Sequence, residues 1–326
     1  MARSKTMGKR SEKAEMNVSA TIMGGRKTKT ALEKTMKGVF IACGAFAVVA
    51  VLVITIYMVV SGAPAMFQIG LKDFLFGTEW APTAADPKFG ILPMILTSLV
   101  GTGITIAVGV PIALMAAVFV SEVAHKKLAG IVKPAIELLA GIPSVVYGLL
   151  GMIILVPQVS KLEMLLYAND PTHAFTGGAN LLSGVVVLTI MILPTVVNIS
   201  ITSLKAVPRE YMEASLATGA TKMQTIFKVQ IPAAKSGIIT GVVLGIGRAL
   251  GEAMAIILVS GNVVNMPGLF NSVRFLTTGI VSEMSYASGL HREALFSIGL
   301  VLFIFIMVIN VILNTLLKKE AAGNEK

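Results

Sequence analysis

The chain alternates long apolar stretches with shorter polar ones, on a length scale set by a lipid bilayer. A hydrocarbon core about 30 Å thick needs roughly 20 predominantly apolar residues in helical conformation. Six runs meet that requirement: Val39 to Val60, Ile91 to Val120, Leu128 to Val156, Leu181 to Ile201, Gly237 to Ser260 and Ala294 to Leu317. Pro111, Gly141, Pro143, Gly241 and Gly245 fall inside them. Such residues weaken a helix in water, but neighbouring helices in a membrane satisfy the backbone groups they release. The second and third runs exceed the required length and are expected to tilt, to kink near Pro111 and Pro143, or to project beyond the bilayer. The pattern predicts an all-α, polytopic membrane protein with six transmembrane helices.

Composition agrees, since only 13% of the 326 residues are charged and 55% are hydrophobic, against about 25% charged in a soluble domain. An ordinary water-soluble enzyme is excluded. The lone Cys43 removes any disulfide framework and any thiolate metal cluster. The net charge of +10 acquires meaning only by position. Of 27 basic residues, 21 fall in the two ends and the even-numbered loops, and five fall in the loops opposite. The positive-inside rule then places both termini in the cytoplasm. The expected organisation is a basic, disordered cytoplasmic leader over 1–38, a first transmembrane anchor with an external segment over 39–90, a transmembrane domain over 91–317 with a cytoplasmic loop at 202–236, and a cytoplasmic tail over 318–326. A basic region of 38 residues and an apolar run of 22 are too long for a cleaved signal, so the anchor is read as retained. The leader has no aromatic residue for stacking on bases, which argues against nucleic acid and for a place near anionic headgroups.

Charges inside the runs are few. Glu137 has Lys133 one turn before it and reads as a structural pair. Arg248 and Glu252 differ. Counting 1.5 Å per residue from Gly237 puts Arg248 about 16 Å into its span, near the midplane. Gly241, Gly245, Arg248 and Glu252 follow helical spacing and share a stripe, and glycines at that spacing turn the stripe toward protein. A pair at i, i+4 would lower the cost of burial, although Arg before Glu is the less favourable order along a helix dipole. Two readings stay open. One is an internal ion pair that locks helix packing; the other is a guanidinium fork that offers an oxyanion two parallel hydrogen bonds.

The most structured loop runs from Pro208 to Ala234. Pro208 suits a helix start, Glu210 and Glu213 fall in early turns, and Gly219 supplies a stop. Thr221 and Gln224 form a capping-box pattern that opens a second helix, and Met223, Ile226, Phe227 and Gln230 continue at helical spacing until Pro232 ends the segment. By physics alone this is a docking element or a folded connector. Its residues resemble the EAA loop of ABC importer permeases: Glu213, Ala214 and Ser215, then Gly219, then Val229, Gln230, Ile231 and Pro232. Ser215 stands where the pattern has a second Ala. FGILP at Phe89 to Pro93, LAGIPSVVYGLLG at Leu139 to Gly151, GIGRALGEAMA at Gly245 to Ala255 and SGLHREALFSIGLVLF at Ser288 to Phe303 are similar to the PstC-type permeases of phosphate importers. The resemblance covers roughly residues 60 to 315.

The resemblance implies a type I ABC importer permease fold, with Arg248 and Glu252 acting in phosphate passage. It also implies that Glu213, Ala214, Gly219, Ile231 and Pro232 dock into an ATPase subunit. The implied partners are that ABC ATPase, a sister permease of the PstA type and an extracytoplasmic phosphate-binding protein. The chain is expected to bind no cofactor and to have no catalytic site, with ATP and Mg held by the partner ATPase; no GxxxxGK[ST] string occurs in it. His125, His173 and His291 lie in different loops, without HExxH, and read as polar loop residues rather than metal ligands. A permease for sulfate or phosphonate, and a permease-shaped protein that signals phosphate status, are the alternative functions.

Overall fold

The computed structural model describes the backbone of residues 2–323 and the side chains of residues 33–312 and of Thr315. Its first elements are α1 (Ala2–Ile69), α2 (Leu71–Phe76), a short hairpin of β1 (Trp80–Ala81) and β2 (Lys88–Phe89), and α3 (Leu92–Val118). Then come α4 (Lys126–Gly141), α5 (Ser144–Leu150), α6 (Val156–Leu166), α7 (Leu181–Ala206), α8 (Arg209–Ala217) and α9 (Lys222–Thr225). The last are α10 (Ile231–Ala233), α11 (Lys235–Gly251), α12 (Met254–Val259), α13 (Leu276–Glu283) and α14 (Gly289–Gly323). Three π-helical turns extend α3, α5 and α9, at Phe119–Val123, Gly151–Leu155 and Ile226–Gln230.

The chain divides into two compact units, Met1–Tyr57 and Met58–Lys326. In the first, the described apolar side chains of α1, including Phe40 and Phe46, are exposed, as a helix facing acyl chains requires. The leader expected to be disordered over 1–38 falls largely on residues 1–32, whose side chains lie outside the described residues; the backbone of 2–32 is part of α1.

Among the described residues, five helical stretches are long and apolar enough to cross a membrane: Glu33–Ile69, Leu92–Val123, Ser144–Leu166, Leu181–Ala206 and Gly289–Ile312. A sixth forms if Lys222–Ala233 and Lys235–Gly251, bent by 70° at Ala234, count as one. Four of the expected runs therefore hold with adjusted ends. The third does not. Ile142 and Pro143 are extended, because proline disfavours helical conformation in the residue before it and cannot donate to the preceding turn. The run expected over Leu128 to Val156 splits there. Its first half, α4, buries no residue completely and carries the half-exposed Lys133–Glu137 pair at 3.6 Å. The apolar span begins at Ser144 and continues to Leu166. Tyr147 closes the corner by donating its hydroxyl to the Leu139 carbonyl at 2.7 Å.

Within the second unit α7 is the central helix. In its most apolar stretch 67% of residues are buried, against 33% or less in the other spans. Asn180 caps it, its Oδ1 accepting from the Ser183 amide at 3.1 Å, and Lys205 sits in the last turn, where the helix dipole favours a cation. Helix α11 packs against α7 through the glycine stripe. A Cβ on Gly241 would lie 3.1 Å from the Ile199 side chain, and one on Gly245 would lie 2.9 Å from Val196 Cγ2. Close backbone approach of this kind maximises dispersion contacts where lipid removes any hydrophobic drive between helices.

Candidate functional site

The expected Arg248–Glu252 pair sits at a helix break. Helix α11 stops at Gly251; Glu252 is extended, with φ −75° and ψ 130°, and α12 starts at Met254. The two side chains form no ion pair in the structure, which corrects the expectation of an i, i+4 bridge. Glu252 instead turns forward, its Oε1 accepting from the Ala255 amide at 3.0 Å and thereby capping α12. Arg248 lies in the last turn of α11 and is half-buried, its Nη1 3.5 Å from Thr195 Oγ1 on α7. The break also explains the residue order. In one continuous helix Arg before Glu opposes the dipole, but here the cation lies at a C-terminus and the anion at an N-terminus, both favourable positions. Among the described residues the guanidinium donates only toward Thr195, which leaves most of its donors unused, beside the exposed Gly247 and Gly251. Thr277 holds the break in place by donating its hydroxyl to the Glu252 carbonyl at 2.7 Å.

The loop at 202–236 forms the helix pair that its sequence predicts. Pro208 is the N-cap of α8, Gly219 turns the chain with φ +86°, and Thr221 with Gln224 makes a reciprocal capping box. The second helix runs on through a π turn, so that Pro232 lies in the short α10 and the bend falls at Ala234. Ser215 has a structural use: its hydroxyl is 2.9 Å from that of Thr225 and ties α8 to the following helix. Glu213, Ala214, Gly219 and Pro232 are exposed and Ile231 is half-buried. The apolar side chains of Tyr211, Leu216, Met223 and Phe227 are exposed around them.

Helix α7 separates this loop from the opposite end of the unit by its 26 residues, about 39 Å at 1.5 Å per residue. At that far end Glu283 is buried and accepts from Trp80 Nε1 at 3.0 Å, His291 Nε2 at 2.8 Å and Arg274 Nη1 at 2.5 Å. Arg274 also donates Nε and Nη2 to the Asn262 carbonyl, at 3.1 and 3.0 Å. These groups line an open cavity of about 440 Å³ together with Tyr286 and Thr83. A second buried carboxylate, Glu163, accepts from the amides of Thr176 and Gly178 and from His173 Nε2 at 3.0 Å. His173 and His291, read from the sequence as polar loop residues, are thus each tied to a buried glutamate. No periodicity marks either cluster: the Glu163 partners sit 10–15 residues on in an irregular loop, and Trp80 lies 203 residues from Glu283.

These features match known proteins. Residues 109–320 match the family described as the binding-protein-dependent transport system inner membrane component. The probable ABC transporter permease protein YqgH of Bacillus subtilis is 36% identical over 303 residues, covering 90% of this chain and 95% of that one. The phosphate transport system permease protein PstC of Xylella fastidiosa is 33% identical over 306 residues, covering 90% and 93%. A solved bacterial ABC transporter involved in the import of the acidic polysaccharide alginate superposes with a TM-score of 0.52, at 16% identity over 84% of this chain and 96% of that one, and so shares the fold. The chain, a multi-pass membrane protein with the helical fold of ABC importer permeases, belongs to the binding-protein-dependent transport system inner membrane component family.

Proposed function

We propose that this chain is the transmembrane permease subunit of an ATP-driven phosphate importer, lining the translocation pathway together with a sister permease. The relatives named as phosphate permeases support the substrate, since they align along nearly the whole chain. The observation that carries the mechanism is the half-buried Arg248 at a helix break within an apolar span, with donors to spare. Phosphate would meet a fork of parallel N–H donors there, while Glu252 holds the break open as the cap of α12 instead of neutralising the arginine. The site is reached from one side at a time. A separate ATPase, holding ATP and Mg, docks on α8, α9 and the exposed apolar side chains around Glu213, Ala214, Gly219, Ile231 and Pro232. A phosphate-binding protein delivers the anion to the opposite face. Both termini are then cytoplasmic, as the distribution of basic residues indicates.

The test is reconstitution in proteoliposomes with a candidate ATPase, sister permease and binding protein. Phosphate-stimulated ATP hydrolysis and phosphate uptake are measured, with sulfate and a phosphonate as competitors. Loss of a charge-assisted contact worth about 1.5–3 kcal/mol makes Arg248→Ala at least about tenfold slower in uptake in an intact complex. Normal uptake by that variant refutes the role of Arg248, and preference for a competitor anion revises the substrate.

A further inference from the structure

A buried amide joins the α8–α9 pair to the ends of the membrane helices. Gln230 is the last residue of the π turn Ile226–Gln230, four residues before the bend at Ala234 that leads into α11. Its side chain is 2% exposed. Nε2 donates to Glu122 Oε1 at 2.8 Å and to the Leu204 carbonyl at 3.2 Å. Both neighbours can only accept, so the amide orientation is fixed by chemistry, and its two N–H groups are fully used. Glu122 lies in the π turn that ends α3, and Leu204 lies in the last turn of α7. Lys222, from the first turn of α9, adds a contact to the Glu122 carbonyl. The ends of two spans and the start of a third therefore meet at Gln230. The family pattern leaves this position open, between Val229 and Ile231.

Two of the three junction partners sit on π turns, which break the regular helical ladder and recur where a helix must change register or direction. Gln230 Oε1, though buried, has no partner among the described protein groups, so the amide is placed for its two donors alone. We infer that Gln230 and Glu122 form a transmission latch, Gln230 being a positioning residue that passes displacement of the α8–α9 pair to the ends of α3 and α7 while α11 turns at Ala234. The inference rests on the importer reading above and deepens it, by naming where the coupling passes from loop to membrane.

The experiment uses the complete reconstituted complex and reads phosphate moved per ATP hydrolysed. Gln230→Met keeps the length and loses the donors; Glu122→Ala, at a half-exposed position, is the second variant and places little demand on folding. Each is expected to lower the ratio at least fivefold while ATP hydrolysis stays within twofold, with the double variant no worse than either single one. A ratio equal to that of the wild type, or losses that multiply in the double variant, overturns the latch. A wild-type complex that moves no phosphate overturns the transport reading instead, and the two failures are told apart by that control.

Discussion

Replacing Glu283 by alanine tests whether the charged cluster at the far end of the molecule holds α13, α14 and the β1–β2 hairpin together. The carboxylate is 6% exposed and satisfies three donors from three separate stretches of chain. Truncation leaves the Arg274 charge without its carboxylate where its side chain is only 15% exposed. Removing one partner of a buried pair costs about 3–5 kcal/mol. Glu283→Gln retains an acceptor for Trp80 but loses the charge, and should cost about 1–3 kcal/mol. At an unfolding entropy of about 2.1 cal/mol/K per residue, each kcal/mol shifts a chain of 326 residues by about 1.5 °C, so the alanine variant melts roughly 4–8 °C lower. The chain contains a single tryptophan, and its indole N–H is one of the three donors. Emission from Trp80 in the purified, detergent-solubilised protein therefore reports this site alone during a thermal ramp. Glu283→Ala should shift the Trp80 emission before heating as well as lowering the transition. A transition within 1 °C or so of the wild type, with unchanged emission, refutes the view that this network organises the far end.

Two further outcomes follow from packing and ionisation. Gly245→Leu forces a side chain into the space occupied by Val196 and should cost about 1–3 kcal/mol through overpacking, read as a lower melting temperature and reduced uptake, whereas substitution of Gly247, beside which a Cβ meets nothing within 4 Å, leaves stability unchanged. In the loop after α6, the Thr172 hydroxyl and amide hydrogen-bond to exposed Asp170 and hold its carboxyl below the ordinary carboxylate range. A lowered folded value means that this contribution is present above the unfolded pKa and is lost as pH falls through the folded one. Protease nicking of the 167–179 loop should thus rise in acid, below about pH 4, and Asp170→Ala should show the increase already at neutral pH; equal nicking of both proteins at neutral pH refutes it.

Local chemistry explains what could be read in advance. The helix pair at 209–233 was legible because its determinants are neighbours in sequence: a proline at the start, a glycine with positive φ, and a threonine and glutamine three residues apart. The glycine stripe was legible because its period matches the helix that carries it. The break near Pro143 was legible from the proline itself, but hydropathy sums across Ile142 and Pro143 and so set the third span at Leu128 to Val156 instead of Ser144–Leu166. The Arg248–Glu252 pairing failed for a related reason, since nothing in the apolar pattern marks a break after Gly251. Trp80 and Glu283 stand 203 residues apart, and only the folded chain brings them together.

The α7–α11 contact constrains how the molecule can move. With glycine at 241 and 245 the two backbones lie so close that side chains of one helix nest against the bare main chain of the other. Sliding by a residue would drive Ile199 and Val196 into neighbouring side chains, so the helix pair behaves as a single stiff lever. Arg248 lies 14 residues beyond the elbow at Ala234, about 21 Å along the axis. A rotation of only 5° about that elbow swings the guanidinium by roughly 2 Å over this arm, which, on the role proposed for Arg248, is the difference between holding an oxyanion at hydrogen-bond distance and releasing it.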